Sequence, residues 1–152
     1  MLRLICAISA AAIAVGSPLR ADDLAAARCP ISGEAVSKDA SIDYKGAKLY
    51  FCCSDCASTF SSAKDKEKAK YAAKANLQLV VTGQAVQKGC PLSGGKTNPD
   101  TAIDIGGAKV AFCCNGCKGT VAKMKLGEQI KKVFSDEPFD KNFKIVKAAE
   151  KK

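Results

Sequence analysis

The chain repeats itself without a gap, and the repeat is marked by cysteine. The first copy reads CPISGEAVSKDASIDYKGAKLYFCCSDCASTF, from Cys29 to Phe60. The second reads CPLSGGKTNPDTAIDIGGAKVAFCCNGCKGTV, from Cys90 to Val121. Identities cluster at four places: Cys-Pro-x-Ser-Gly, Ile-Asp, Gly-Ala-Lys and Phe-Cys-Cys-x-x-Cys. Two copies are too few for a solenoid, which needs about three. The pattern therefore predicts a tandem pair of similar small modules.

Local rules give each copy the same expected shape. Cys-Pro-x-Ser-Gly reads as a tight turn, with Pro fixing one torsion and Gly free to take positive φ. Residues 42–44 and 48–51 read as strands of a hairpin around Lys45-Gly46, and residues 103–105 and 109–112 as strands around Gly106-Gly107. A helix is expected next, with Ser54 and Asn115 as N-caps. Further on, residues 65–75 read as a Lys- and Ala-rich helix and 77–82 as a β-like run. Residues 127–134 read as a helix that Pro138 breaks, and 139–146 carry no clear pattern. The expected class is α+β. The expected organisation is a signal peptide over 1–21, a first module over 22–76, a connecting strand or linker over 77–89, a second module over 90–147 and a frayed tail over 148–152.

The assignment of 1–21 rests on a short positive start at Arg3, an apolar run over 4–15 and a break at Ser17-Pro18 before Ala21. The run falls short of the roughly 20 residues of a membrane helix. Export to a periplasmic or extracellular space is the expectation, with no membrane span after cleavage; a retained N-terminal anchor is the alternative. Cleavage removes Cys6, Arg3 and Arg20, so the formal charge of +9 falls to +7. The surplus is lysine spread over helical stretches, which reads as a solvated face rather than a nucleic-acid surface.

Eight cysteines then remain, and the chain has no histidine. That excludes Ser-His and Cys-His catalysis and imidazole ligation. No phosphate-binding glycine loop or paired-carboxylate motif is present, so no enzyme class is expected beyond thiol–disulfide chemistry. Asp43 and Asp104 recur between copies, beside hairpin turns, and read as structural. Phe51, Phe60 and Phe112 read as core.

In each copy one cysteine lies in the opening turn, Cys29 or Cys90. The hairpin returns the chain to three more at a helix start: Cys52, Cys53 and Cys56, or Cys113, Cys114 and Cys117. Free N–H groups at a helix start favour thiolate, and thiolates suit Zn2+ and Cu+ better than Mg2+ or Ca2+. All eight are candidate metal ligands, either for an ion that is carried or sensed or for a structural zinc that staples a small interaction module with a limited core. Adjacent cysteines point in different directions, so three thiolates plus water, Asp or a partner's ligand compete with a four-thiolate site. Two other readings stand beside metal binding. An even cysteine count in an exported chain fits a disulfide-stabilised interaction protein. Cys53-Ser54-Asp55-Cys56 and Cys114-Asn115-Gly116-Cys117 fit a thiol–disulfide oxidoreductase, although the βαβ context is missing.

These residues resemble a known group. Cys-Pro-x-Ser-Gly, then Tyr-x-Gly or its equivalent, then Tyr-Phe-Cys-Cys-x-x-Cys-x-x-x-Phe, is similar to the YHS and TRASH modules, which are treble-clef-like zinc fingers. The TRASH pattern of one cysteine, a long spacer and then Cys-x-x-x-Cys is matched by Cys29, Cys52 and Cys56 and by Cys90, Cys113 and Cys117. The resemblance covers Cys29 to Phe60 in the first copy and Cys90 to Val121 in the second. It implies trafficking, sensing or resistance toward heavy metals. The expected partner is a metal ion, with another exported or membrane protein as a candidate beside it. Two departures stand out. Ser32 and Ser93 occupy the place of a second turn cysteine, and Cys53 and Cys114 are additions beside the expected one.

Overall fold

The structure, a computed structural model, describes residues 24–146. The segments 1–21 and 148–152, assigned above to a signal peptide and a frayed tail, lie outside the described residues. The fold is α+β, with helices packed around three separate two-stranded antiparallel sheets.

The first copy begins with a closed turn. Cys29 N–H donates to the Glu34 carbonyl (2.8 Å) and Gly33 N–H to the Cys29 carbonyl (2.9 Å), with Gly33 at φ 82°. Strands β1 (Ser37–Tyr44) and β2 (Ala47–Phe51) pair as a hairpin, Tyr44 opposite Ala47, with an irregularity between Ser37 and Ser41. Lys45 (φ 51°) and Gly46 (φ 82°) make the turn, the double positive φ that suits right-twisted strands. Helix α1 (Ser54–Ser62) follows. Its N-cap is Cys53, in extended conformation, and Ser54 is the first helical residue. Cys114 takes the same role before Asn115. The expected caps are thus shifted by one, because the second cysteine of each pair is itself still extended and the helix starts at the next residue.

Helix α2 (Asp65–Val81) is longer than expected. The run over 77–82, read as β-like, continues the helix to Val81. Its apolar residues are continuous because the C-terminal part of α2 packs between the two halves: Ala75 belongs to the first core, and Leu79 to the second. Such a run cannot be told from a strand by periodicity. Gly83, at φ 69°, closes the helix by donating to the Val80 carbonyl.

The second copy follows the same plan. Strands β4 (Asn98–Ile105) and β5 (Ala108–Phe112) share the register of the first hairpin, with the irregularity again at the equivalent place. Helix α3 (Asn115–Ala122) starts after Cys114. Two helices come next, α4 (Leu126–Phe134) and α5 (Asp136–Asn142). Under the offset that maps Cys29 onto Cys90, the bounds of α2 fall on Leu126 and Asn142. The repeat therefore extends beyond the stretch whose residues match in sequence, and one helix of the first half is two in the second. The break lies at Ser135, not at Pro138, which sits in the first turn of α5 where its missing N–H costs nothing. A continuous helix would have needed a bond from residue 138 to the Phe134 carbonyl. Asn76 of α2 supplies it instead, its amide donating to that carbonyl at 2.8 Å.

The halves are tied together. Strand β3 (Ala85–Gln87) lies in the segment between the copies and pairs antiparallel with β6 (Phe143–Ile145) near the end of the second. Three glutamines seal strand edges as side-chain mimics of a neighbouring strand. Gln78 bonds the N–H and C=O of Tyr50, Gln84 those of Lys48, and Gln87 those of Ala111, all at 2.6–2.9 Å. Lys45 reaches from the first hairpin to Asp136 (2.9 Å) and Asp140 (2.6 Å) of α5. No described helix is long and apolar enough to cross a membrane.

Candidate metal centres

Each hairpin carries its chain from the opening turn to the strand end and back, so the first cysteine meets the cluster at the helix start. In the first half the sulfurs of Cys29, Cys52 and Cys56 all lie within 4.8 Å of one another; in the second, those of Cys90, Cys113 and Cys117 do. The Cys52–Cys56 and Cys113–Cys117 separations are both 3.6 Å. A tetrahedral ion with metal–sulfur bonds of about 2.3 Å sets its sulfurs about 3.8 Å apart, so these edges are of the right length for one soft ion. Cys29 and Cys90 are buried, 1% and 0% exposed. Cys52, Cys56, Cys113 and Cys117 are half-buried. All eight described cysteines are free thiols.

Cys53 and Cys114 stand apart from these triads. Both are exposed, and each lies 3.7 Å from its neighbour's sulfur, Cys52 or Cys113. The structure thus brings three of the four sequence candidates in each copy into one group and leaves the fourth on its outer flank.

The two serines of the opening turns belong to the sites as well. Ser32 Oγ and Cys52 Sγ are hydrogen-bonded at 3.3 Å, and the Ser93 hydroxyl donates to Cys113 Sγ at 3.2 Å. In sequence they stand out only as missing ligands. Their recurrence at the same place in both copies is the signal that could have found them.

The thiols are unequal in acidity, and unequal in the same way twice. Burial pushes the Cys29 thiol up, but hydrogen bonds from the Ser32 hydroxyl and from the amides of Ser32, Cys52 and Ile31 outweigh it, bringing the pKa down to about 6. Cys90 likewise falls to about 6, burial being outweighed by the Ser93 hydroxyl and the amides of Cys113, Ser93 and Leu92. Burial and the sulfurs of Cys52, Cys53 and Cys29 push Cys56 up to about 12. Cys117 is pushed up to about 12 by the Cys113 sulfur, by burial and by Cys114 and Cys90. The Cys56 amide, then the Cys52 and Cys56 sulfurs, lower Cys53; the Cys117 amide, then Cys113 and Cys117, lower Cys114. Each cluster thus holds one anion easily and resists further charge. A cation relieves that repulsion, and its binding displaces protons.

The recurring aspartates serve the hairpins. Asp43 pairs with Lys48 at 2.9 Å, and Asp104 accepts the Gly107 N–H at 3.1 Å. Phe51, Phe60 and Phe112 are core, each no more than 2% exposed.

No family model, no curated protein and no solved structure matches this chain. What the fold and the sites define is an α+β protein with two repeated cysteine clusters that can each hold a metal ion.

Proposed function

We propose that the protein is an exported carrier or sensor of a soft metal ion, Zn2+ or Cu+, held by cysteine thiolates in two sites, and that it acts without catalysis. Each half, on this reading, is a treble-clef-like module of the YHS and TRASH kind: a turn, a hairpin and a helix start converging on one ion. The periplasm or the extracellular space is the proposed location, and another exported or membrane protein the proposed exchange partner. The observation that carries the reading is the duplicated triad, with three sulfurs within 4.8 Å in both halves. In each half the Cys52–Cys56 or Cys113–Cys117 edge of 3.6 Å is the length one soft ion needs.

Half-buried sulfurs and an exposed flank favour a carrier or sensor over a closed structural site, since structural zinc takes four protein ligands and leaves no open position. The test is elemental analysis with a thiol count on protein recovered from its native compartment. The reading predicts about two equivalents of Zn or Cu per chain and reduced thiols. Fully oxidised cysteines with no bound metal would mean a disulfide scaffold. Turnover in an insulin-reduction assay would mean an oxidoreductase.

A further inference from the structure

Cys53 and Cys114 are unaccounted for by the triads, yet both copies carry them at the same place. Cys53 lies 3.7 Å from Cys52, which lies 3.6 Å from Cys56. Cys29 also neighbours Cys56, and closes the group of three in which Cys53 takes no part. Cys52 therefore stands between buried Cys29, its partner in the triad, and exposed Cys53 outside it. Cys113 stands in the same way between buried Cys90 and exposed Cys114.

We propose that Cys53 and Cys114 are exit ligands, which draw the ion outward, past Cys52 and Cys113, from the buried sulfur to the surface and present it to a thiolate-bearing acceptor. The proposal rests on the metal-binding reading above and adds the route by which the ion leaves. In the step, a Cys53–metal bond forms and the Cys29–metal bond breaks. Any proton on the Cys53 thiol passes to the departing Cys29 sulfur or to solvent. The metal keeps its oxidation state, so neither oxidant nor reductant is needed. The acceptor's thiolate then replaces the remaining protein ligands one at a time. Because two ligands stay bound throughout the shift, the ion is never released bare, and exchange is fast without binding being weak.

The opposite direction offers no such path in the first half. On that side Cys29 lines a cleft of about 230 Å3 whose walls include Leu77, Val81 and Ile130. Arg28 and Lys74 also border it, and among the described residues no carboxylate or second sulfur does. A cation leaving by that route would lose its anionic ligands and meet like charge.

The test loads the full mature chain with Zn2+ under anaerobic conditions. Transfer to the chromophoric chelator 4-(2-pyridylazo)resorcinol is then followed by stopped flow for the wild type and for Cys53→Ser/Cys114→Ser. The proposal predicts that transfer slows at least fivefold while equilibrium Zn2+ affinity falls less than threefold. Cys53→His/Cys114→His, which restores a donor atom, should recover most of the lost rate. Equal transfer rates overturn the proposal. A serine variant that binds only weakly also overturns it, since Cys53 and Cys114 would then be permanent ligands. A wild-type chain that takes up no Zn2+ and no Cu+ is a different result, because it removes the metal-binding reading itself. Circular dichroism of the variants excludes misfolding as the cause, and substitution at exposed positions leaves the core untouched.

Discussion

The two halves hold the same arrangement of sulfurs on unequal foundations. In the first, the buried cluster is small: Cys29, Leu49, Phe51, Phe60 and Ala75, with Tyr44 and Tyr71 packed against Phe60. In the second, Cys90, Val110, Phe112 and Val121 join a larger core that includes Leu79 of α2 and Val133, Phe134, Phe139 and Phe143 from the later elements. Phe60, in the smaller cluster, is replaced at the equivalent place of the second copy by Val121, in the larger one. The residues that do not differ are those that set sulfur positions, the Cys-Pro-x-Ser-Gly turn and the Phe-Cys-Cys junction, while the hairpin loop keeps its two-residue length and positive φ. Ligand geometry thus depends on a short local unit, while the support beneath it is free to vary.

The largest effect should come from removing a ligand. Cys56→Ser is expected to abolish binding in the first site and Cys117→Ser in the second, each costing about one equivalent of metal by elemental analysis, with the other site intact. A double variant that keeps its full load would show that the ligands have been wrongly assigned.

Deleting an aromatic from each core should separate the foundations. Phe51 and Phe112 occupy equivalent positions and are both fully buried. Replacement by Ala is expected to cost about 3–5 kcal/mol in either case. Phe112→Ala should sit at the upper end, because its cavity opens in the core shared with α4 to β6. Urea denaturation measures both, and equal costs would mean that the cores are equivalent after all.

Asn76→Ala tests the tie between the halves. It leaves the Phe134 carbonyl, made available by Pro138, without its donor, at an expected cost of about 1–3 kcal/mol. A loss below about 0.5 kcal/mol, the size of a neutral surface change, would mean that this bond does not bridge the halves in solution.

The smallest expected effect is the pH dependence of the Lys45–Asp136 contact. Burial raises the Asp136 pKa, but hydrogen bonds from Lys45 and Asn76, the Lys45 charge and Tyr44 outweigh it and hold the carboxyl below its ordinary 3.8. A lowered carboxyl pKa contributes stability that is present above 3.8 and lost as pH falls through the lower folded value. Thermal melts taken as pH falls from 3.8 through that lower value should therefore show a shallower decline for Asp136→Asn than for the wild type. Identical slopes would contradict the assignment.

The local unit is legible in sequence because it is built from short-range signals. Cysteine spacing, a Lys-Gly or Gly-Gly loop between apolar strands and a turn-forming Pro and Gly each act over a few positions. What governs the rest acts at longer range. Residues 77–81 look β-like because both halves bury them, a fact of tertiary packing. The match between α2 and the α4–α5 pair leaves little trace in residue identity, since a buried face needs only suitable volume. Strand β6 is too short to carry a period, and its partner β3 lies before the whole of the second copy. Ser32 and Ser93 are visible in the repeat, but their bonds to sulfur depend on where the hairpin delivers Cys52 and Cys113.

The central claim is that three sulfurs in each half surround one ion. X-ray absorption at the metal edge tests it most directly, on protein loaded with two equivalents of Zn2+ and freed of excess. The account predicts a first shell dominated by sulfur, about three per zinc at roughly 2.3 Å, with any remaining position filled by a lighter atom. A shell of oxygen or nitrogen alone, with the thiols still free to react, would contradict it.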